Sequence, residues 1–122
     1  MEIGYANVFV SDLERAVGFY RDVLGLPLEF GDGAHGYASF RAGAFRLGLA
    51  VADAGDGQWI GRHTGLGFVT KDLVADHARL VAAGVTFASP PERQPWGGFI
   101  ALLQDPDGNV FYLDEVSAVH GA

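Results

Sequence analysis

The chain contains no cysteine. That absence excludes disulfides, thiolate metal sites and a cysteine nucleophile together, leaving histidine, carboxylates, hydroxyls and aromatic surfaces as the available chemistry. Positive charge is also scarce: eight Lys and Arg stand against 15 Asp and Glu, a net charge of −7. A phosphate backbone or an anionic lipid surface is repelled by this balance, so neither nucleic acid nor a membrane is expected as a partner. Long apolar runs are missing too. The stretch Phe99–Leu103 falls far short of the roughly 20 residues that a spanning helix needs. The opening residues include Glu2 and no basic segment ahead of an apolar run, so no signal peptide is read and a cytoplasmic location is expected. Finally, Ser11, Ser39, Ser89 and Ser117 lack a GxSxG elbow, and no P-loop or dinucleotide fingerprint occurs.

What is present is apolar surface and glycine. Of 122 residues, 49% are hydrophobic and 12% aromatic, enough for one core, and a single domain over 1–122 is expected. The 18 glycines are about twice ordinary usage.

Residues 3–10 alternate between two faces, with Ile3, Ala6, Val8 and Val10 on one side and Tyr5, Asn7 and Phe9 on the other, the pattern of a strand. Ser11 with Glu14 reads as a capping box, and Asp12 as an alternative cap. The helix that follows carries Leu13, Ala16, Val17, Tyr20 and Leu24 at helical spacing, and Gly25 with Pro27 stops it. Residues 28–30, 36–41 and 45–51 read as three short strands separated by glycine loops. The same order then recurs. Residues 68–73 (FVTKDL) echo 8–13 (VFVSDL) at an offset of 60, and Ala83-Gly84-Val85 echoes Leu24-Gly25-Leu26 at 59, an internal repeat. Asp72 is expected to cap a second helix burying Leu73, His77, Leu80 and Val81. Strands near 85–88, 99–104 and 109–115 follow, with 89–98 as a loop. The expected fold is α+β: two βαβββ modules in tandem, 1–52 and 64–117, joined by a loop over 53–63 and followed by a tail over 118–122, forming curled mixed sheets around a cleft. About 50 residues per module is thin for an independent core, so a homodimer is expected.

This repeat resembles the vicinal oxygen chelate superfamily, which includes glyoxalase I, extradiol dioxygenases and bleomycin resistance proteins. The resemblance is carried by Val10-Ser11-Asp12-Leu13 and Thr70-Lys71-Asp72-Leu73 at the helix starts, Phe19-Tyr20 with Leu24-Gly25-Leu26 at the first helix end, and Asp105-Pro106-Asp107-Gly108-Asn109 before the last strand. It implies a cleft into which metal-dependent members present His or Glu ligands from the first and last strands of each module. The corresponding positions here are Tyr5, Gly48, Gly65 and Tyr112. Glycine has no side chain and a neutral phenol is a rare ligand, so no metal and no other cofactor is expected. His63 shares strand parity with Gly65 and is the one candidate substitute. His35, His77 and His120 read as solvated or half-packed side chains, and Asp114 as a solvated strand end.

The four replacements suit a different use. Gly48, Gly65 and Gly67 fall on the inner face by alternation and clear space there. Tyr5, Asn7, Phe9, Tyr37, Ser39, Arg46, His63 and Tyr112 stand around that floor, and such walls suit a flat organic ligand. Trp96, in Gln94-Pro95-Trp96-Gly97-Gly98, resembles the Pro-Trp-Gly loop of the bleomycin-resistance-like branch and is expected to line the cleft. Trp59, in the linker, could equally cover the core. The Asp105–Asn109 segment reads as a turn rather than an acid-base pair or calcium loop, with Pro106 at its first position and Gly108 or Asn109 supplying the positive dihedral.

The expected function is metal-free binding of a hydrophobic or aromatic small molecule, of the antibiotic-binding and antibiotic-resistance kind. The alternative is an enzyme of the same superfamily, lyase-, isomerase- or dioxygenase-like, with a non-standard metal site or Tyr/His acid-base chemistry. No catalytic residue is assigned.

Overall fold

The structure, a computed structural model, describes residues 1–116. Ser117, His120 and the expected tail over 118–122 lie outside the described residues. The chain divides into two compact units, Met1–Arg62 and a second beginning at His63. Among the described residues each carries one four-stranded mixed sheet and one α-helix, in the tandem βαβββ arrangement.

In the first unit, β1 (Ala6–Val10) is followed by the helix α1 (Leu13–Gly18) and then by β2 (Leu28–Asp32), β3 (Tyr37–Ala42) and β4 (Phe45–Val51). The sheet order is β1-β4-β3-β2: β4 returns beside β1 in parallel, and the other two pairs are antiparallel. Between the two possible caps of α1 the structure selects Asp12, whose Oδ1 accepts the Arg15 N–H at 3.0 Å. Ser11 Oγ accepts instead from the Arg15 guanidinium. The α-helix is also shorter than its apolar spacing predicts. After Gly18, a poor helix former, the backbone widens into a π turn over Phe19–Val23, and Gly25 at φ 77° ends it. Tyr20 in that turn is fully buried beside Phe40. One sheet face, with Val8, Val10, Ala38, Phe40, Leu47 and Leu49 buried, packs with Ala16 and Tyr20 into the core. Each such large side chain contributes roughly 1.5–3 kcal/mol on burial.

The second unit repeats the plan: β5 (His63–Thr70), α2 (Leu73–Ala82), β6 (Phe87–Arg93), β7 (Phe99–Gln104) and β8 (Val110–Glu115), in the order β5-β8-β7-β6. Asp72 caps α2 through the Ala75 N–H, and Gly84 at φ 91° closes it, with the Val85 N–H returning to the Leu80 carbonyl at 2.9 Å. Leu73 and Leu80 are buried and His77 is half-buried edge-on to Phe87. Val81, expected in the same face, is instead half exposed together with Val74, because the two share the neighbouring stripe.

Two further expectations change here. Residues 89–93 are strand rather than loop, despite Pro90 and Pro91: β6 is the outer strand of its sheet, so one of the two missing N–H groups falls on the free edge, and the other is absorbed by a break in the pairing with β7. The irregular pairing with β7 between Ser89 and Glu92 spans those prolines. In the turn before β8 only Gly108 has a positive φ, 81°, and Asn109 does not. Asn109 is buried and donates its side-chain N–H to Asp105 Oδ2, while Asp105 Oδ1 accepts the backbone N–H groups of Asp107 and Asn109 at 2.9 and 2.8 Å. The turn reading is therefore a closed hydrogen-bond network in which the Asp105 carboxylate is already engaged.

Candidate functional site

Helix and core occupy one face of each sheet, leaving the other face open for function. On the first sheet, alternation aims Asn7 and Phe9 of β1, Tyr37 and Ser39 of β3 and Gly48 of β4 to this face, with Asn7 opposite Gly48 and Ser39 opposite Gly48 on the other side. Tyr5 and Arg46 sit at its end, the guanidinium 4.9 Å from the ring centroid. Gly48 does clear space, but the sheet's own side chains take it up. A Cβ built there would fall on Asn7 Oδ1 and 2.6 Å from the Tyr37 hydroxyl, and those two groups hydrogen-bond above the glycine at 3.4 Å. Ser39 is buried. Trp59 covers neither core nor cleft floor. It leans on Phe9 with ring centroids 4.8 Å apart, and with Arg62 the pair borders a small notch of about 280 Å³.

The second sheet is arranged differently. Two rows of cross-strand neighbours line its open face. One runs Gly67, Tyr112, Leu102, Ser89 and the next runs Val69, Asp114, Ile100, Glu92, each read from β5 across β8 and β7 to β6. Gln94 and Trp96 overhang from the β6–β7 connection, where Gln94 N–H bonds the Gly98 carbonyl at 2.8 Å and Gly97 adopts φ 96°. Together they enclose a hollow of about 680 Å³, within the range of small-molecule sites. Trp96, 63% exposed, supplies a free aromatic surface at its rim.

Gly65 corrects the alternation argument. Between His63, opposite Val110, and Gly67, opposite Tyr112, β5 bulges, and Gly65 takes φ 72° with no atom within 4 Å of a Cβ built on it. Its glycine is required by backbone conformation, not by clearance. Thr64 holds the bulge by donating from Oγ1 to the Val110 carbonyl at 2.8 Å and accepting the Leu66 N–H at 3.1 Å. Within it, His63 Nδ1 accepts the Gly65 N–H at 3.0 Å, which puts the neutral ring's proton on Nε2. The same ring meets Tyr112 edge-on, centroids 4.9 Å apart.

Of the residues expected around the cleft, then, the structure brings Asn7, Phe9, Tyr37, Ser39 and Gly48 to one face of the first sheet with Tyr5 and Arg46 at its end. It brings Tyr112 and Trp96 to the second hollow with His63 beside Tyr112. Asp114 is not a solvated strand end. Its side chain lines the hollow and Oδ1 is buried. Glu92 and Gln94 were lost to the loop reading of 89–98, and Ile100 and Leu102 because both alternating sets of β7 are apolar. The signal for Glu92 and Asp114 is a carboxylate at open-face parity inside a strand.

The donor set does not fit a divalent metal. The positions that the resemblance assigns to ligands are two phenols, a glycine overlaid by Asn7 and Tyr37, and a glycine in a bulge, and among the described residues no three His, Asp or Glu side chains converge. His35 is engaged elsewhere, with Nδ1 2.8 Å from Asp32 on an exposed turn. Arg21 and Asp22 shift each other's titration, the guanidinium raised and the carboxyl lowered, each chiefly by the hydrogen bond between them on the exposed helical segment, away from both open faces. Among the described residues no helix is long and apolar enough to cross a membrane.

Comparison with known proteins matches this geometry to one family. The chain is similar over 95% of its length to a member of the glyoxalase/bleomycin resistance protein/dioxygenase superfamily from Sphaerobacter thermophilus DSM 20745, at 29% identity and TM-score 0.80, covering 98% of that chain. It is similar to TnmS3, an antibiotic binding protein from Streptomyces sp. CB03234, at 33% identity and TM-score 0.74, over 96% of this chain and 97% of that one. It also resembles the lactoylglutathione lyase of Agrobacterium tumefaciens at 24% identity and TM-score 0.76, covering 93% and 92%, a likeness that reaches the fold alone. The family's sequence profile matches residues 2–113, and the chain belongs to the Glyoxalase/Bleomycin resistance protein/Dioxygenase superfamily.

Proposed function

We propose that this protein binds a hydrophobic or aromatic small molecule, of the antibiotic-like kind, on the open face of its second module and without a resident metal. The observation that carries the reading is the hollow of about 680 Å³ walled by Tyr112 and Trp96 over the apolar floor of Leu102 and Ile100. Stacking on those rings and burial against that floor are the interactions it offers, with Ser89 and Gln94 as neutral hydrogen-bonding groups. The likeness to TnmS3, an antibiotic binding protein, supports the ligand class. On the first sheet the equivalent space is filled by Asn7 and Tyr37, so one ligand per chain is expected. The chain is further proposed to form a homodimer, since Val74 and Val81 of α2 and Leu28 and Phe30 of β2 are exposed apolar side chains.

Calorimetric titration with a panel of aromatic antibiotics tests the reading. Saturable binding at one site per chain, lost in Trp96→Ala without loss of fold, supports it. Absence of any saturable response sinks it. Metal content measured after purification without chelator tests the remaining clause, because a stoichiometric divalent metal contradicts it.

A further inference from the structure

Resting on the reading of the second module's open face as a ligand seat, we infer that the ligand is a planar aromatic molecule bearing a positive charge, such as a protonated amine. The hollow has an uneven charge inventory: among the described residues Glu92 and Asp114 line it, and no Lys or Arg does. Both carboxylates flank Ile100 in a single cross-strand row, Glu92 from β6 and Asp114 from β8. Two strand spacings, roughly 10 Å, separate their backbones, so an aromatic body lying over Ile100 has one on either side.

The nearest cation in sequence, Arg93, is turned to the opposite face, where its guanidinium lies 4.4 Å from the Phe99 ring centroid. Among the described residues the Glu92 carboxylate makes no hydrogen bond or ion pair, while its backbone carbonyl accepts from the Gln94 side-chain amide at 3.1 Å. A neutral or anionic ligand seated here leaves that carboxylate uncompensated as water is displaced, and an anionic one adds repulsion. A cation removes both costs, and the faces of Trp96 and Tyr112 attract the same charge through their ring quadrupoles.

The test uses three probes sharing one ring system: 9-aminoacridine, a cation; acridone, neutral; and acridine-9-carboxylate, an anion. Calorimetry on the full chain at low salt is expected to rank them cation, neutral, anion. The cation is expected to bind about tenfold more tightly than the neutral probe, with a preference that shrinks as salt rises. Glu92→Gln, at an exposed position, is expected to cut the preference about threefold, and Asp114→Asn to act in the same direction. Glu14→Gln, on α1 of the first unit, leaves it unchanged and separates a local effect from the overall charge of −7. Equal affinities for the three probes, or a preference that survives Glu92→Gln intact, overturn the charge assignment while leaving the seat standing. No saturable binding by any probe overturns the seat and this inference with it.

Discussion

Asn7 lies directly across the parallel β1–β4 pair from Gly48, and its side-chain oxygen fills the volume that a Cβ at Gly48 would occupy. The corresponding pair in the second unit is Gly67 and Tyr112. Glycine and bulky residue have changed strands between the modules. In the first the space above the glycine is closed by Asn7 and Tyr37, whereas a Cβ at Gly67 would meet only Tyr112 Cβ, at an ordinary 3.6 Å.

Gly48→Ala must therefore push Asn7 and the Tyr37 ring aside. Overpacking of this kind costs about 1–3 kcal/mol, read as a lowered Tm in thermal denaturation. Asn7→Ala combined with Gly48→Ala is expected to recover part of the loss. Strict additivity of the two substitutions would show that the volume conflict is not the cause.

Gly65 and Gly67 separate conformation from space. Gly65→Ala meets no atom but must hold φ 72°, at a cost of roughly 1–2 kcal/mol. Gly67→Ala needs no unusual backbone and is expected to be neutral or to stabilise by up to about 1 kcal/mol through the unfolded chain. Denaturant unfolding of both variants checks the contrast, and the reverse order would refute the bulge assignment.

The two tryptophans should respond oppositely. Trp59→Ala removes the ring contact with Phe9, worth about 0.5–1.5 kcal/mol beyond its area. Trp96→Ala, at an exposed rim, is expected to leave Tm nearly unchanged while abolishing binding of aromatic ligands. Loss of stability in Trp96→Ala with binding retained would show the ring to be a structural anchor.

Asp105 and Asp72 test the reading of acidic residues as structural. Asp72→Ala removes one cap bond, about 1 kcal/mol. Asp105→Ala strips partners from the Asp107 and Asn109 N–H groups and from the buried Asn109 side chain, each loss of a buried partner costing about 1–3 kcal/mol. Chemical denaturation is expected to place Asp105→Ala well below Asp72→Ala; equal midpoints would mean that the turn network contributes nothing beyond a cap.

The helix cap at Asp72, the two-residue alternation of β1 and the repeat at an offset of 60 were legible as sequence because each is a pattern within the chain, whereas at the first helix Ser11 and Asp12 both fitted the cap and only the structure chose Asp12. The same locality made the Asp105–Asn109 turn readable. It failed where a neighbour across the sheet intervenes. That β6 runs through Pro90 and Pro91 depends on its having one free edge, and that Gly65 bends rather than clears depends on how β5 registers against β8.

The sequence by itself determined two βαβββ modules and the alternation of strands such as β1, because composition and period fix which side chains exist and which way a strand alternates. Only tertiary structure decided that the glycine of the first module is covered by Asn7 and Tyr37, and that Glu92 and Asp114 share one row with Ile100. Cross-strand register sets those neighbours. Register is a non-local property, fixed by bulges and buried faces far apart in the chain.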